Sequence, residues 1–423
     1  MGAPGGVMLD SPLETRRDRS FRLAVVASHP VQYYAPWFAR IAEQHDLEVL
    51  YCHRQDAGGQ SEAGFGVQFD WDLDLLSGYQ SRWLSNVAKE PGLQAFRGCD
   101  TPELDSIIRD GRFDAVLALG WNRKSYLQAA QACRRYGVPF LLRGDSQLGT
   151  SRRALLRAAK YLPYRALLPR AAAHLYVGTR NREYLEHYGV PADKLFFVPH
   201  CVDTKRFAAE SRTARESGAA AALRREHEVP EDAFLVLYVG KLMEKKRVGD
   251  LVEAVPLIPR KAGRAVQGLV VGDGPELGQL RDRTQRLGAP IRFAGFQNQS
   301  RLPAFYAAAD ALVLPSDGRE TWGLVVNEAM AAGLPAIVSD QVGCGPDLIT
   351  SADHGAVFRT GDVSALAEAT ATVNQRVSNA PDDVRQALER KSNEYSLSAA
   401  ARGLGQALAA VVQDSAIRDV VVA

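Results

Sequence analysis

Residues 311–340 read ALVLPSDGRETWGLVVNEAMAAGLPAIVSD, which predicts one complete strand–helix–strand unit. The apolar runs ALVLPS and PAIVSD are typical of buried parallel strands. Between them we expect a helix from about Gly323 to Ala332, because Gly333 suits the position just after a helix end. The loop 317–322 then follows the carboxyl end of a strand, which is where parallel sheets bind their ligands.

Similar apolar runs recur along the chain, each separated from the next by a helical pattern. The first series is RLAVVAS (22–28), LEVLYC (47–52), DAVLALG (114–120), PFLLRG (139–144) and AHLYVG (173–178), and the second is FLVLYVG (234–240), VQGLVVG (266–272), PIRFAG (290–295), ALVLPS (311–316), PAIVSD (335–340) and GAVFRT (355–360). A charged, Ala-rich stretch after residue 208 separates the two series. The pattern predicts two doubly wound α/β domains in tandem.

The length supports this division. A chain of 423 residues exceeds what one hydrophobic core usually organises, and favours two domains of roughly 180 residues each. We place the first domain at residues 21–207 and the second at residues 208–392. Residues 1–20 show no periodicity and are predicted to be a disordered tail.

The composition is ordinary for a soluble globular protein, with 46% hydrophobic and 24% charged residues. A formal charge of +2 gives no reason to expect a nucleic-acid partner. We expect a cytoplasmic protein, because there is no secretory signal pattern and no run of about 18 apolar residues. The 5 cysteines are scattered and form no Cys-x-x-Cys pair, which argues against a disulfide framework and a zinc site.

Two glutamates in the opening stretch, Glu320 and Glu328, are eight positions apart. Even within one helix they would be separated by about 12 Å, so they cannot share a proton. One carboxylate in the loop and one on the helix suit a ligand with a hydroxyl-bearing group at each end. The helix N-terminus at Gly323 and Leu324 offers free N–H groups to an anion between those ends. A sugar, a diphosphate and a ribose in a row would satisfy this pattern.

A cation for such an anion is found in the first loop of the second series, YVGKLMEKKRVGDLVEAV (238–255). Gly240 ends a strand, Lys241 follows it, and Lys246 begins the next helix. These lysines could clamp a diphosphate and stabilise the charge that builds up as it leaves. A solvated basic turn is the alternative, since lysine is normally exposed.

Together these stretches resemble the family-4 retaining glycosyltransferases, the glycogen-synthase-like branch of the GT-B fold. The Glu-x7-Glu motif, the loop VGKLMEKKR, VVGDGPE, FAGFQNQ and GPDLI stand in family order, and VPHCVDTKRF (198–207) is similar to the inter-domain segment. The resemblance covers about residues 22–410 and implies two Rossmann-like domains facing each other across a cleft. It also implies that the C-terminal helix, near 393–412, packs back on the first domain.

The resemblance assigns roles at the donor site. Glu328 would hold the ribose hydroxyls, and the two lysines would hold the diphosphate. Glu320 would face the transferred sugar, together with the backbone after Trp322. The base would be flanked by Phe296 and Gln297. No cofactor is implied beyond the nucleoside-diphosphate sugar as co-substrate.

The acceptor half departs from the family pattern. The histidine that often follows the fourth or fifth strand is replaced by LLRGDS, and His29 after the first strand could substitute for it as a catalytic residue; a turn-capping role is the alternative. The polar and aromatic residues expected at the acceptor side are Gln32, Tyr33, Trp121, Asn122, Arg143 and Asp145.

The predicted reaction moves a sugar to an acceptor hydroxyl on a glycan, a glycolipid or a small molecule, as in polysaccharide biosynthesis. No residue is an obvious covalent nucleophile, so same-face attack is favoured, with the departing phosphate taking the acceptor proton. One alternative is a nucleotide-sugar epimerase of the GT-B fold. The other is a catalytically idle nucleotide-sugar sensor.

Two further segments have competing interpretations. DWDLD (70–74) is similar to the Asp-x-Asp metal motif of the other glycosyltransferase fold, but it falls in the acceptor half, so we predict an exposed acidic loop and no catalytic metal. Residues 151–170 are basic and amphipathic. They could lie on anionic lipid and make the protein peripheral on the inner face of a membrane, or they could form a solvated basic face.

Overall fold

The computed structural model describes residues 20–54, 70–149, 154–259 and 264–422. The predicted tail, residues 1–20, lies outside this part of the chain except for its last residue. The predicted fold class is confirmed: the described residues form two parallel sheets, each flanked by helices.

In the described part of the first half, seven parallel strands form one sheet in the order β3-β2-β1-β4-β5-β6-β7. Their bounds are β1 Arg22–Ala27, β2 Asp46–Tyr51, β3 Gln80–Trp83, β4 Ala115–Ala118, β5 Phe140–Arg143, β6 Ala173–Tyr176 and β7 Leu195–Phe197. The central strands are almost entirely buried, because helices cover both faces of the sheet. The two edge strands, β3 and β7, are short and more exposed, and neither is among the predicted runs.

The helices of this half are α1 Ala35–Ala42, α2 Leu104–Asp110, α3 Lys124–Tyr136, α4 Ala154–Leu167 and α5 Thr179–His187. Residues 151–153 of the predicted basic segment lie outside the described residues. The remainder forms α4 and the turn after it, where the side chain of Leu162 is 72% exposed.

In the second half, the described residues form a six-stranded parallel sheet in the order β10-β9-β8-β11-β12-β13. The strands are β8 Phe234–Val239, β9 Val266–Val271, β10 Ile291–Gly295, β11 Ala311–Leu314, β12 Ala336–Ser339 and β13 Gly355–Phe358. Each predicted run of the second series therefore contains a strand. The order is that of a dinucleotide-binding sheet, which reverses between its first and fourth strands, here β8 and β11.

The helices of the second half cover both the predicted connector and the loops after the strands. They are α6 Thr204–Glu216, α7 Ala219–Glu226, α8 Val248–Ala254, α9 Leu277–Leu287, α10 Leu302–Ala308, α11 Leu324–Ala331, α12 Gly345–Leu348, α13 Val363–Asn379 and α14 Pro381–Glu394. The helix predicted after Trp322 is thus α11. Gly333 follows it with a φ of 86°, a left-handed conformation that glycine adopts without strain.

The last helix, α15 Leu397–Val422, returns to the first half of the chain. Its apolar face, including Leu404 and Leu408, belongs to the same buried cluster as Leu23 and Trp37. A Cβ at Gly403 would lie 2.1 Å from the Phe197 carbonyl oxygen, so a side chain there would push the helix away from the sheet. The exact domain boundaries remain a prediction.

The chain crosses between the two halves at two places. The first crossing follows β7, and the second lies between α14 and α15. Val202 in the first crossing forms an isolated parallel β-bridge with Ser396 in the second, so the two connections lie side by side.

Candidate active site

A cavity of about 570 Å³ lies between the two halves. It is found at the carboxyl ends of β1, β8 and β11, where the strand order of each sheet reverses. Its volume is typical of a small-molecule site. The cavity is lined by every residue predicted to meet the donor: Gly240, Lys241, Lys246, Phe296, Gln297, Glu320, Trp322, Gly323, Leu324 and Glu328.

Lys246 and Glu320 form an ion pair at the wall of this cavity. Lys246 Nζ donates a hydrogen bond to Glu320 Oε2, and the two side chains are only 15% and 14% exposed. Lys246 ends the short turn after β8, and Glu320 lies in the loop after β11. Since these two strands are hydrogen-bonded neighbours, the fold itself brings the lysine and the carboxylate together. Because the ammonium and the carboxylate are paired, neither charge is left without a partner in a cleft that solvent reaches only partly.

Lys241 adds a second cation to the same loop. Burial, followed by the charges of Lys245 and Lys246, lowers the pKa of the Lys241 ammonium to about 8. Three lysines within six residues repel one another, and an anion between them would relieve that repulsion. The loop after β8 is therefore suited to bind an anionic group.

Glu328 is fully buried on the first helical turns of α11. Its Oε2 accepts a hydrogen bond of 2.6 Å from the Tyr306 hydroxyl. Burial, followed by the charge of the nearby Glu328, raises the pKa of Tyr33 of the first half. Oε1 is buried without a hydrogen-bond partner among the described residues. Burial raises the pKa of Glu328 to about 7. An unpaired buried oxygen beside a cavity is suited to a ligand hydroxyl, which could donate to it.

Two glycines allow backbone N–H groups and loops to come close to the cavity. Gly323 caps the N-terminus of α11 with a φ of 101°, and it has no side chain to cover the first N–H groups of the helix. At the ends of β8 and β9, a Cβ on Gly272 would lie 1.9 Å from the Gly240 carbonyl oxygen. The loops carrying Lys241 and Asp273 can therefore pack directly on each other.

Trp322 connects the donor-side loop to the first crossing between the halves. Its Nε1 donates to Asn327 Oδ1 at 2.8 Å, and Asn327 Nδ2 donates to the His200 carbonyl oxygen at 3.1 Å. The Trp322 and His200 rings are 5.9 Å apart. Burial lowers the pKa of His200 to about 3, so this ring is neutral.

The loop after β5 also holds the glutamate loop from the opposite side. Asp145 Oδ2 accepts a hydrogen bond of 2.6 Å from Thr321 Oγ1, and Gln147 Nε2 donates to the Glu320 carbonyl oxygen at 2.9 Å. Arg180 continues this contact by donating to the carbonyl oxygens of Asp340 and Gln341. Groups from the first half thus position the loop that carries Glu320.

On the acceptor side, His29, Gln32, Tyr33 and Asp145 line the cavity as predicted residues of the first half. The His29 ring is half-buried, and its Nδ1 lies 2.9 Å from Ser28 Oγ. Burial, with smaller contributions from the charges of His53 and Arg123, lowers the pKa of His29 to about 4. The imidazole is therefore neutral near pH 7 and is a weak proton acceptor.

Three predicted acceptor residues, Arg143, Trp121 and Asn122, are not among the residues that line this cavity, and their role on the acceptor side stays a prediction. Arg143 is 2% exposed, donates to the carbonyl oxygens of Val198 and Pro199, and lies over the Trp37 ring, so it holds the chain before His200.

Trp121 stacks on Tyr184 within a core cluster of the first half. Asn122 is exposed next to it. Both residues follow β4, and the Trp121 ring packs against Tyr184 of the neighbouring helix α5.

Several residues that line the cavity were not predicted from the sequence, among them the aromatic residues Trp71 and His200. His200 lies in the segment VPHCVDTKRF, which the sequence indicates only as a connection between domains. Trp71 lies in DWDLD, where the acidic residues dominated the interpretation. A large aromatic residue in an otherwise polar loop was the signal that could have identified Trp71.

The raised pKa of Glu328 predicts a pH-dependent stability. Between about pH 4.5 and pH 7 the carboxyl stays protonated in the folded chain but ionises in the unfolded one, so its contribution to stability falls as pH rises through this window. Replacing Glu328 with Gln should therefore stabilise the folded chain more at pH 8 than at pH 5. The increase in the free energy of unfolding should be about 2 kcal/mol larger at pH 8. Denaturant unfolding at both pH values measures this, with the exposed Glu368→Gln as control; equal effects at the two pH values would contradict it.

Residues 220–387 match the sequence model of the family described as Glycosyl transferases group 1. A curated relative, the N-acetyl-alpha-D-glucosaminyl L-malate synthase of Bacillus anthracis, is 30% identical over 146 residues, which is 34% of this chain and 37% of the relative. The GDP-mannose-dependent alpha-(1-6)-phosphatidylinositol monomannoside mannosyltransferase of Mycobacterium tuberculosis is 32% identical over 201 residues, which is 46% of this chain and 49% of the relative. The chain thus spans half or less of the length of these relatives.

Solved structures match over nearly the whole chain. The crystal structure of Anabaena HepE in complex with UDP and glucose aligns with a TM-score of 0.65 and 16% identity, and covers 92% of this chain and 100% of that one. At this identity the likeness shows the fold. In the described residues, no helix has the length and apolar character needed to cross a membrane. Residues 220–387 are therefore similar to the glycosyl transferases group 1 family, and the chain that carries them has the GT-B fold.

Proposed function

We propose that the protein is a retaining glycosyltransferase that moves a sugar from a nucleoside diphosphate to an acceptor hydroxyl without a metal ion. The observation that carries the proposal is a single inter-domain cavity whose wall contains Glu320, Lys246, Glu328 and the N-terminus of α11. These groups offer partners for a sugar, a diphosphate and a ribose.

In this proposal the diphosphate lies between the lysine loop and the helix N-terminus. The N–H groups at Gly323 and Leu324 and the ammonium groups of Lys241 and Lys246 would share its charge. The entering phosphate would replace Glu320 as the partner of Lys246. The Glu320 carboxylate would then be released toward the transferred sugar.

The ribose would donate a hydroxyl to the unpaired Oε1 of Glu328. The crystal structure of the Anabaena neighbour contains UDP and glucose, and the mycobacterial relative is named as GDP-mannose-dependent. We therefore expect a uridine or guanosine nucleotide to bind, with its base near Phe296 and Gln297.

The chemical step would proceed on one face of the sugar. The bond from the anomeric carbon to the diphosphate oxygen breaks, the acceptor oxygen bonds to the same carbon from the same face, and the acceptor proton passes to the departing phosphate. A protein base is not required for this step. The low pKa of His29 agrees with that, because a ring with a pKa of about 4 would bind a proton poorly at neutral pH. We propose that His29 orients the acceptor hydroxyl.

The acceptor would enter beside Gln32, His29 and Asp145, which face the cavity from the first half. A glycan, a glycolipid and a small molecule are all compatible with this placement. Contact of the segment 151–170 with anionic lipid remains a prediction, as does a cytoplasmic location.

A panel of nucleotide sugars tests the proposal. Thermal shift first identifies the donor that stabilises the full chain, and product analysis then follows that donor with and without a set of acceptors. A transferase consumes the donor rapidly only with an acceptor, and the product keeps the anomeric configuration. An epimerase would convert the donor alone, and a sensor would bind it without turnover; either result would overturn the proposal.

The proposed charge neutralisation predicts that turnover is independent of metal ions. If lysines and backbone N–H groups stabilise the leaving diphosphate, excess EDTA should change the initial rate by less than twofold. A metal-dependent glycosyltransferase assayed in parallel is the control. Loss of activity in EDTA that is restored by magnesium or manganese would refute this part of the proposal.

A further inference from the structure

The loop at residues 70–72 belongs to the first half of the chain but contacts the second. The Asp72 carboxylate accepts hydrogen bonds from the backbone N–H of Ser300, at 3.1 Å to Oδ2, and from Ser300 Oγ. Asn298 Nδ2 donates to the Asp70 carbonyl oxygen at 2.8 Å. Two separate residues of the loop are therefore hydrogen-bonded to the segment 298–300.

The segment that is held continues directly from Phe296 and Gln297. Gln297 Nε2 donates to the Ala294 carbonyl oxygen at 2.9 Å, which bends this loop back onto the end of β10. Trp71 lies between the two residues that make the inter-domain bonds, and it lines the same cavity as Phe296 and Gln297. A large aromatic side chain of the first half is thus placed at the end of the cavity assigned to the nucleoside.

The two acidic residues beside Trp71 contact the second half through different groups, Asp72 through its carboxylate and Asp70 through its backbone carbonyl oxygen. Asp72 is engaged by Ser300, and neither Asp70 nor Asp72 lines the cavity. The exposed acidic loop predicted from DWDLD is present, but its contact with the second half was not anticipated. These two contacts with the second half lie on either side of Trp71 in the sequence.

We infer that Trp71 forms the first domain's wall of the nucleoside subsite, where its indole packs against the base of a bound nucleoside diphosphate. The inference rests on the proposed function and adds a binding residue from the opposite domain. An indole suits this position because it stacks on any base without reading its hydrogen-bonding edge. The Asp72–Ser300 contact keeps the ring in place, so nucleotide affinity depends on both domains.

Calorimetric titration of the full-length protein tests this inference with three probes: UDP, GDP and inorganic pyrophosphate. Trp71→Ala should raise the Kd of the nucleoside diphosphate that binds by about tenfold, because base–aromatic stacking is lost. Trp71→Phe keeps a stacking surface and should change it by less than about threefold. The pyrophosphate Kd should be the same in all three proteins, since pyrophosphate has no base.

A matched pair of acidic variants tests the inter-domain contact. Asp72→Asn should raise the nucleotide Kd about threefold by weakening the contact with Ser300. Asp74→Asn is the control, because Asp74 lies in the same loop and its carboxylate accepts a hydrogen bond within that loop, from the Leu76 N–H at 3.0 Å. The melting temperature of each variant shows whether it is folded, and so distinguishes the loss of this contact from the loss of the fold.

Wild-type nucleotide affinity in a folded Trp71→Ala variant would overturn the inference. An increase in the acceptor KM alone, with the nucleotide Kd unchanged, would overturn it too and would move Trp71 to the acceptor subsite. If the wild-type protein binds neither UDP nor GDP while donor turnover is also absent, the proposed function itself fails. An equal loss of pyrophosphate and nucleotide binding in Trp71→Ala would assign the residue to the phosphates instead.

Discussion

Lys246→Ala lowers kcat/KM for the nucleotide sugar by about 100-fold or more, with wild-type enzyme as reference. The reason is that the negative charge on the diphosphate grows as the sugar leaves, so the ammonium group stabilises the transition state more than the ground state. The side chain is only 15% exposed, and a partly dry site strengthens this interaction. Steady-state kinetics with the donor varied at saturating acceptor measure the change.

Two controls accompany this variant. Lys246→Arg keeps a cation and should recover part of the activity, and Lys205→Ala removes an exposed lysine outside the cavity and should have no effect. Because the Ala variant leaves Glu320 without its partner, its melting temperature must be compared with that of the wild type. A loss of less than threefold in a folded variant would mean that another group holds the phosphates.

The two glutamates should respond differently to the same chemical change. Glu320→Gln is expected to lower kcat by about 100-fold with a smaller change in donor affinity, because positive charge develops on the sugar ring only as the phosphate departs. Glu328→Gln should mainly raise the donor KM, by about tenfold, because a ribose contact is made equally in the ground and transition states. Both substitutions keep the shape of the side chain and remove its charge.

Donor-dependent kinetics and calorimetric binding of the nucleoside diphosphate separate these effects. Each glutamate variant serves as the control for the other. If Glu320→Gln abolishes diphosphate binding while Glu328→Gln leaves it intact, the assigned roles are reversed, and the sugar and the ribose exchange places in the cavity.

Much of the fold could be predicted because its signals are local. The buried strands of the second half appear as short apolar runs, and Gly333 marks the end of α11. The edge strands β3 and β7 were not predicted, since β3 has no apolar pattern and the apolar run of β7 is only 3 residues long. Their existence depends on pairing with neighbours that are distant in sequence.

The site shows the same division between local and distant information. Each donor-side residue lies in the loop after a strand or on the helix that follows that loop, and the order of the strands brings these strand ends together. Arg143 also follows this rule, yet it is buried, because the carbonyl oxygens of Val198 and Pro199 satisfy its guanidinium inside the protein. No local pattern reveals partners 55 residues away in the chain.

The β-bridge between Val202 and Ser396 has a consequence for movement. A single linker would let two domains twist and bend independently, whereas two linkers fastened side by side resist twisting and leave mainly one degree of freedom. We therefore expect the cleft to open and close by a hinge motion. The two domains would return to the same relative position at each closure, so that Trp71 again lies beside the loop after Gln297. Distances between spin labels on the two domains should then change together along one coordinate when nucleotide is added.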